Sequence, residues 1–249
     1  MPRYMFTDGL WEKLKRVMLK MGIHEKPMLR QTVEGIFYRL RTGVPWRDLP
    51  KTFGNWNAVY KRFNAWSGTE KLMAIFTALV VEPDLEWAFI DGSLVKAHQH
   101  SSGAAHGQET AIGKSVAGNT TKIHMAVDAC GLPIHFRVTG GEVHDCKEAP
   151  TLVAELPNAD YIIADRGYDS EALRVQIQDK GAIPMIPRKR NSTVGNGDMD
   201  WCLYKYRHLV ENVFARLKHF RAIATRYDKL KRNFIGSLAL ACAFLWLPM

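Results

Sequence analysis

Residues 161–170 read YIIADRGYDS, an apolar run that ends abruptly in charged and turn-forming residues. A short apolar run bounded by such residues is typical of a buried strand. A helical pattern follows at Ser170–Gln178, and another short apolar run follows at Ile183–Ile186. Alternation of strand and helix predicts a sheet with helices packed on its faces.

The chain before this segment predicts three more strands. The predicted elements are a strand over Trp87–Val95, a long loop rich in His, Gly, Ser and Ala over Ala97–Thr120, two strands over Ile123–Val127 and Ile134–Val138 joined through a Gly-Leu-Pro turn, and a helix over Cys146–Leu156. Three successive strands followed by alternating helix and strand give an α/β fold, a mixed sheet flanked by helices. This order resembles that of ribonuclease H-like domains.

The first 80 residues predict an all-helical region. Apolar side chains recur at helical spacing from Trp11 to Met21, with Asp8 as the expected cap, and again from Leu29 to Leu40.

A turn-rich segment, residues 42–50, separates the second of these helices from a third over Asn55–Trp66. The third helix carries Lys61 and Arg62 among aromatic residues. A helix, a turn and a basic helix together are the layout of a helix-turn-helix DNA reader. A small helical bundle with a solvated basic face accounts for the same pattern equally well.

Composition and charge narrow the class of protein. A hydrophobic fraction of 47% and seven tryptophans exclude a disordered chain. Lys and Arg outnumber Asp and Glu by 34 to 25, an excess that suits a nucleic acid, an anionic membrane surface or an acidic protein. The apolar tail Ile235–Met249 is shorter than the roughly 20 residues that span a bilayer, so we expect a buried terminal helix. Four widely spaced cysteines argue against a zinc ribbon or a disulfide framework and favour a reducing cytoplasm.

Two carboxylates interrupt or end predicted strands. Asp91 lies inside the run Ala88–Ser93, where a carboxylate is costly unless it is paired or binds a metal. Asp165 directly follows the strand Tyr161–Ala164, and functional groups gather at the carboxyl ends of strands in open sheets. The structural alternatives are a turn that begins at Asp91 and a helix cap at Asp165.

A third carboxylate, Glu211, belongs to a long helix predicted over Tyr204–His219. At about 100° per residue, Tyr204, Arg207, Glu211 and Lys218 share one stripe roughly 60° wide. The apolar residues of this helix occupy another sector and can pack on the sheet: Leu209, Val210, Val213 and Leu217. A surface stripe of salt bridges is the structural alternative.

Three carboxylates in basic surroundings suit phosphoryl transfer on DNA. Two Mg²⁺ ions can share carboxylate oxygens and stabilise the attacking and leaving oxygens of an in-line displacement. From Lys205 to Arg232 the chain carries nine Lys or Arg residues against Glu211 and Asp228. Such positive charge suits the DNA backbone, although a run of this kind is often only a solvated face.

These residues resemble the DDE transposases of bacterial insertion sequences, most closely the family conventionally numbered five, which is related to family four. Tyr204, Arg207, Glu211 and Lys218 match the spacing of the Tyr-Arg-Glu-Lys signature of these families. The interval from Asp165 to Glu211 is short, which leaves little room for a large inserted β domain. The other similar blocks are Ile90–Ser93 with Lys96–His98, Thr121–His124, Gly141–Asp145, Ala164–Asp169, Ala224–Asp228, and Trp46–Pro50 with Trp56.

The resemblance implies a domain organisation and an activity. It implies a helical, helix-turn-helix-like DNA-binding domain over residues 1–82 and a ribonuclease H-like DDE catalytic domain over residues 83–249. The implied activity is metal-dependent DNA cleavage and strand transfer. Catalysis and metal binding are assigned to Asp91, Asp165 and Glu211, with two Mg²⁺ ions for which Mn²⁺ would substitute. DNA contacts are expected from Tyr204, Arg207, Lys218, Lys122, Arg166, Lys61 and Arg62.

The implied partners are double-stranded DNA, at the element ends and at the target, and further copies of the chain in a homodimer or larger synaptic complex. No membrane partner is expected. The expected location is the bacterial cytoplasm, with nucleoid association when the protein is bound to DNA. Two alternatives remain open, a ribonuclease H-like nuclease that only hydrolyses and a non-catalytic DNA-binding protein derived from a transposase.

Several histidines raise a separate question. His98, His100 and His106 suggest a zinc site, but in a loop rich in small residues without nearby cysteines we expect mobile, solvent-facing histidines instead. His144 and Asp145 are further candidates to approach the metals.

Overall fold

The computed structural model describes residues 4–103 and 107–249. Its α-helices are α1 (Asp8–Lys20), α2 (Leu29–Thr42), α3 (Trp56–Gly68), α4 (Lys71–Leu79), α5 (Asp145–Glu155), α6 (Glu171–Asp179), α7 (Trp201–Tyr204), α8 (His208–Lys218), α9 (Arg221–Ala224) and α10 (Lys231–Trp246). Its strands are β1 (Trp87–Ala97), β2 (Gly113–Ser115), β3 (Gly118–Val127), β4 (Pro133–Gly140), β5 (Tyr161–Ile163), β6 (Ile183–Met185) and β7 (Thr225–Arg226).

The chain forms two compact units. The helical unit comprises residues 1–81, 96–111 and 217–249, and the sheet unit comprises residues 82–95 and 112–216.

The sheet unit is built on strands in the order β2-β3-β1-β5-β6, with β4 also paired to β3. β3 and β4 form the predicted antiparallel hairpin, whereas β1, β5 and β6 run parallel. β1 is buried over Ala88–Ile90, and α5 and α6 cover the sheet through Leu152, Val153 and Ile177, which are also buried. The predicted ribonuclease H-like mixed sheet flanked by helices is confirmed.

The helical unit is organised around α10, which is buried along most of its length. α10 packs against α3 and α4. A Cβ atom at Gly236 would lie 2.4 Å from Ser67 Oγ, so glycine is needed where α10 approaches α3. The predicted buried terminal helix and the helices of the first 80 residues are confirmed. In the part of the chain that the structure describes, every helix is too short or too polar to cross a membrane.

Three local predictions are wrong in detail. The cap of α1 is Thr7, whose hydroxyl accepts a hydrogen bond from the Leu10 backbone N–H, and not Asp8. The predicted loop Ala97–Thr120 contains β2 and the start of β3, which pair as a hairpin because Gly118 adopts a φ of 88° at the tight turn. The predicted helix Tyr204–His219 is interrupted, since residues 205–207 form a 3₁₀ turn between α7 and α8.

The connection between α2 and α3 also differs from expectation. Residues 43–55 contain two 3₁₀ turns and exceed the roughly three to four residues of a helix-turn-helix turn. The connection is long because it supplies core side chains of its own, with Phe53 buried and Trp46 packed on Phe63. α2 and α3 therefore do not form a standard helix-turn-helix, and DNA binding by this region stays a prediction.

The predicted domain boundary, residues 1–82 and 83–249, likewise stays a prediction. The compact units differ from it in grouping residues 96–111 and 217–249 with the N-terminal helices. The physical reason is α10, whose apolar surface is buried against those helices.

Candidate active site

Asp91 lies in the middle of β1, and the strand continues for six more residues. The alternative of a turn at Asp91 is therefore wrong. Its Oδ1 accepts a hydrogen bond from the Gly92 backbone N–H at 2.7 Å, and its side chain is 19% exposed. Burial raises the pKa of Asp91; the Gly92 N–H and the Arg207 charge oppose this rise, and the charges of Asp165 and Asp145 add to it. The charges of Asp145 and Asp165 therefore reach the Asp91 carboxylate.

Asp165 follows the carboxyl end of β5. Phe89 pairs with Ile163 in the parallel register of β1 and β5, so Asp91 and Asp165 each lie two residues beyond a paired position. Because strand side chains alternate with a period of two, this register predicts that both carboxylates lie on the same side of the sheet. The charge of Asp165 indeed contributes to the raised pKa of Asp91. Asp165 Oδ1 also accepts a hydrogen bond from the Gly167 N–H at 2.7 Å, so the capping role is real as well.

Arg207 links the third predicted acid to the first. Its Nη1 donates to Asp91 Oδ2 at 3.0 Å, and its Nη2 donates to Glu211 Oε1. Burial alone would lower the pKa of Arg207, but the charges of Asp91 and Glu211 raise it overall. Glu211 lies in the first turn of α8 and is 53% exposed. Strand pairing therefore brings the segments of Asp91 and Asp165 together. The Arg207 guanidinium links Asp91 to Glu211 through hydrogen bonds.

Asp145 lies closer to this cluster than the sequence indicated. Its Oδ2 accepts a hydrogen bond from Lys122 Nζ at 3.1 Å, and its Oδ1 lies 3.3 Å from His124 Nδ1. Burial alone would raise the pKa of Asp145, but His124 and Lys122 lower it overall, which keeps the carboxylate ionised. His144, the other candidate in this segment, is exposed. The available sequence signal was the spacing of Lys122 and His124, which puts two polar residues on one face of an otherwise buried strand.

Tyr168 is buried beside these acids. Its hydroxyl has no hydrogen-bond partner, which is uncommon for a buried polar group. Burial raises the pKa of Tyr168, and the charges of Asp145, Asp91 and Asp165 raise it further, so the phenol remains protonated.

The donor chemistry of these residues fits a divalent ion, since Mg²⁺ prefers carboxylate oxygens. The Tyr168 hydroxyl has no hydrogen-bond partner and provides further hydrogen-bonding capacity beside the acids. Within residues 4–103 and 107–249, no group of three His, Cys, Asp or Glu side chains is already arranged to hold a metal ion. In this structure the Arg207 guanidinium lies between Asp91 and Glu211 and pairs with both.

The other predicted DNA contacts differ in how freely they can reach a phosphate. Lys122 is 12% exposed and paired with Asp145, and Arg62 Nη1 donates to Thr32 Oγ1 at 2.6 Å. Tyr204 is half-buried, and burial raises its pKa, so it stays a hydrogen-bond donor. The exposed members of the set are Arg166, Lys61 and Lys218. All of these DNA contacts stay predictions.

The histidines after β1 lie in the helical unit. His98 is half-buried and stacks on Tyr227 with ring centroids 4.5 Å apart, so the expectation of a mobile, solvent-facing side chain is wrong for this residue. His100 is exposed. His106 lies outside the described residues.

Two family models match the chain. Residues 6–76 match a family described as a putative transposase of the IS4/5 family, and residues 83–199 match the transposase DDE domain. The second match includes Asp91 and Asp165 and ends before Glu211.

Curated relatives match about half of the chain. A putative transposase for insertion sequence element IS6501 from Brucella ovis is 40% identical over 130 residues, which cover 51% of this chain and 98% of that protein. A putative transposase for element IS402 from Burkholderia cepacia is 32% identical, over 50% of this chain and 62% of that protein. Among solved structures, a piggyBac transposase synaptic complex with hairpin DNA aligns with a TM-score of 0.42 at 10% identity, covering 76% of this chain and 50% of that one.

Proposed function

The chain belongs to the DDE transposases of insertion sequences, enzymes that cleave and transfer DNA, and on that premise we propose how its own residues act. We propose that it binds the terminal inverted repeats of its element, and that Asp91, Asp165 and Glu211 are the catalytic acids of metal-dependent cleavage and strand transfer.

One observation carries the assignment of the acids. The parallel pairing of β1 and β5 brings the segments that carry Asp91 and Asp165 side by side, and Arg207 bonds to both Asp91 and Glu211. Residues more than a hundred positions apart in the chain are thereby connected through a single charged cluster. The Arg207 guanidinium is partly exposed and bonded to two acids. Such an arrangement is expected where a divalent cation can replace the guanidinium beside the acids and a DNA phosphate can replace the acids beside the guanidinium.

The DDE domain implies dependence on a divalent metal. We propose that Asp91, Asp165 and Glu211 would hold two Mg²⁺ ions, for which Mn²⁺ would substitute. When bound, such ions activate the nucleophile and neutralise charge that develops on the attacking and leaving oxygens.

The chain's own cations and phenols would bind and orient the DNA. Arg207 presents a planar fork that matches a phosphate as well as a carboxylate, so a DNA phosphate can replace Asp91 and Glu211 as its partner. Tyr204 retains its proton and can donate to a phosphate oxygen. In the proposed reaction, water first cleaves a strand at the element end. The freed 3′-hydroxyl then attacks a target phosphodiester, forming one P–O bond while another breaks.

The test is a cleavage assay on a duplex that carries the element end, taken from the sequence flanking the reading frame. Asp91→Asn, Asp165→Asn and Glu211→Gln should each reduce cleavage on the order of 10³-fold or more, because catalytic groups that act as a unit fail together. Binding of the same duplex in Ca²⁺ should persist. Glu155→Gln is the matched control, a paired carboxylate on α5 that is predicted to leave cleavage unchanged. A variant that cuts at the native rate removes that residue from the assignment.

A second measurement separates strand transfer from simple hydrolysis. A precleaved element end with a free 3′-hydroxyl should join to a supercoiled target plasmid. If the enzyme cuts ends but never joins them, the alternative of a hydrolytic nuclease is correct.

A further inference from the structure

Asp145 lies directly against the backbone of the strand that carries Asp91. A Cβ atom added at Gly92 would lie 2.1 Å from Asp145 Oδ1 and 3.0 Å from its Cγ. Any residue larger than glycine at position 92 would displace the carboxylate. The strand is therefore in van der Waals contact with Asp145 immediately after the first catalytic acid.

Two side chains from β3 hold Asp145 in this position. Lys122 Nζ lies 3.1 Å from Oδ2 and His124 Nδ1 lies 3.3 Å from Oδ1. His124 is fixed in turn, because its Nε2 lies 2.9 Å from Thr139 Oγ1 on the neighbouring strand β4. With Lys122 12% and His124 1% exposed, the carboxylate is held by groups that themselves have little freedom to move.

We propose that Asp145 is a positioning residue of the active site, which fixes the Asp91 carboxylate through the strand backbone at Gly92 and adds a fourth negative charge to the cation-binding cluster. This inference rests on the proposed function, because it assumes that Asp91, Asp165 and Glu211 bind divalent ions.

A purely structural role would predict a different orientation of the Asp145 side chain. An acid at the start of a helix is stabilised by the helix dipole, and any exposed orientation of Asp145 would provide that stabilisation. The carboxylate instead lies beside Asp91, where two like charges repel each other in the ion-free protein. A cation shared by the two carboxylates would offset this repulsion, so the placement favours ion binding.

Mn²⁺ affinity, measured by electron paramagnetic resonance, tests the inference without using catalysis. Asp145→Asn should weaken Mn²⁺ binding about 10- to 100-fold, the usual cost of losing a group that orients a metal ligand. Glu155→Gln is the matched control, because Glu155 lies on the same helix and is likewise paired with a histidine and a cation. Its Mn²⁺ affinity should equal that of the unaltered protein.

Thermal unfolding tests whether misfolding causes the weaker Mn²⁺ binding of Asp145→Asn. Asp145→Asn leaves Lys122 without its carboxylate, so the double variant Asp145→Asn/Lys122→Met removes both charges and should regain any lost melting temperature. It should still bind Mn²⁺ weakly. If the double variant restores Mn²⁺ binding, the role of Asp145 is only to neutralise Lys122, and the inference is overturned.

A double-mutant cycle tests the route through Gly92. Gly92→Ala should weaken Mn²⁺ binding in the native background, where its methyl group displaces Asp145. In an Asp145→Ala background the methyl group has space, so Gly92→Ala should add little. Equal losses in both backgrounds would show that the two positions are not coupled.

Failure of the inference is distinguishable from failure of the proposed function. If Mn²⁺ affinity is insensitive to Asp91→Ala, the proposed metal site is wrong. If Asp91→Ala abolishes Mn²⁺ binding while Asp145→Asn leaves it unchanged, only the role of Asp145 is wrong.

Discussion

Two arginine–aspartate pairs, one chosen from each unit, differ in burial. In the helical unit, Arg39 binds Asp228 through two hydrogen bonds of 3.1 Å, and both side chains are 6% exposed. In the sheet unit, Arg207 binds Asp91 at 3.0 Å, with 22% and 19% exposed. Similar chemical groups at similar distances therefore lie in different solvent environments.

The Arg39–Asp228 pair, hereafter the sealed pair, makes contacts typical of a structural element. Arg39 also lies over the Trp46 ring at 5.1 Å, and Ser237 Oγ lies 3.4 Å from Asp228. Nearby, the fully buried Arg226 donates to backbone carbonyls of Asp228 and Ala111, and burial lowers its pKa to about 10. Both side chains of the Arg39–Asp228 pair are thus almost fully buried, although Arg39 Nε has no hydrogen-bond partner and both residues line a cavity.

In the Arg207–Asp91 pair, hereafter the open pair, the arginine is shared with a second acid, Glu211, and solvent can reach it. Water and salt compete for such a pair, so its contribution to folding is small. The difference indicates that Arg39–Asp228 stabilises the fold, whereas Arg207–Asp91 can exchange partners during function.

The largest expected effect lies in the sealed pair. Asp228→Ala should reduce the free energy of unfolding by about 3–5 kcal/mol, because it leaves a buried, unpaired Arg39. Urea unfolding measures this change. Asp8→Ala is the matched control, since Asp8 pairs with Arg30 at the surface and is 90% exposed, and its loss should cost no more than about 1 kcal/mol. A loss for Asp228→Ala as small as that of the control would contradict the structural role.

A smaller effect is expected when the open pair is broken: the affinity for DNA should fall and the affinity for Mn²⁺ should rise. Arg207→Gln should weaken DNA binding by about 1.5–3 kcal/mol, the value of a charged hydrogen bond. The same variant should tighten Mn²⁺ binding in the absence of DNA, because Asp91 and Glu211 lose a competing cation. Gel shifts and electron paramagnetic resonance measure the two affinities.

Arg137→Gln serves as the control for this prediction. Arg137 also binds two carboxylates in the sheet unit, Glu148 and Glu155, and its loss should change neither affinity. If Arg207→Gln behaves like Arg137→Gln, the open pair is structural after all and the contrast between the units disappears.

Local patterns in the sequence predict most strands and helices of the sheet unit, but not β2 or the 3₁₀ turn at residues 205–207. Asp91 and Asp165 were identified because each stands out against an apolar strand, and the strand order then implies that they meet. Glu211 was identified from its stripe on a helix. That stripe survives in part, since the contact of Arg207 with Glu211 has the expected spacing although a 3₁₀ turn interrupts the helix.

Contacts between distant segments were not predictable in the same way. The pairing of Arg39 with Asp228 joins residues 189 positions apart, and neither residue has a local pattern that indicates the other. The position of Asp145 depends on how α5 returns to the sheet after β4, which no periodicity specifies. Gly92 is a local sign that another segment packs against β1 at this position. A glycine in a strand indicates such a close approach but does not identify the approaching residue.

The smallest expected effect concerns Asp91 itself, and it distinguishes a residue kept for function from one kept for stability. Burial and neighbouring acids raise the pKa of Asp91 in the folded protein above its unfolded value. The fold therefore favours the protonated carboxyl. The stability contributed by this group is complete below the unfolded pKa, near 4, and is lost as the pH rises through the folded pKa.

Asp91→Asn should consequently stabilise the protein at neutral pH by roughly 0.5–2 kcal/mol while abolishing cleavage. Denaturant titrations at a series of pH values measure the gain, which should vanish near pH 4 and grow as the pH rises, because only the native carboxyl must ionise. Asp228→Asn, by contrast, should destabilise the protein, because the buried Arg39 loses its carboxylate partner. If Asp91→Asn destabilised the protein as Asp228→Asn does, the open pair would be holding the fold together, and its partial exposure would carry no functional meaning.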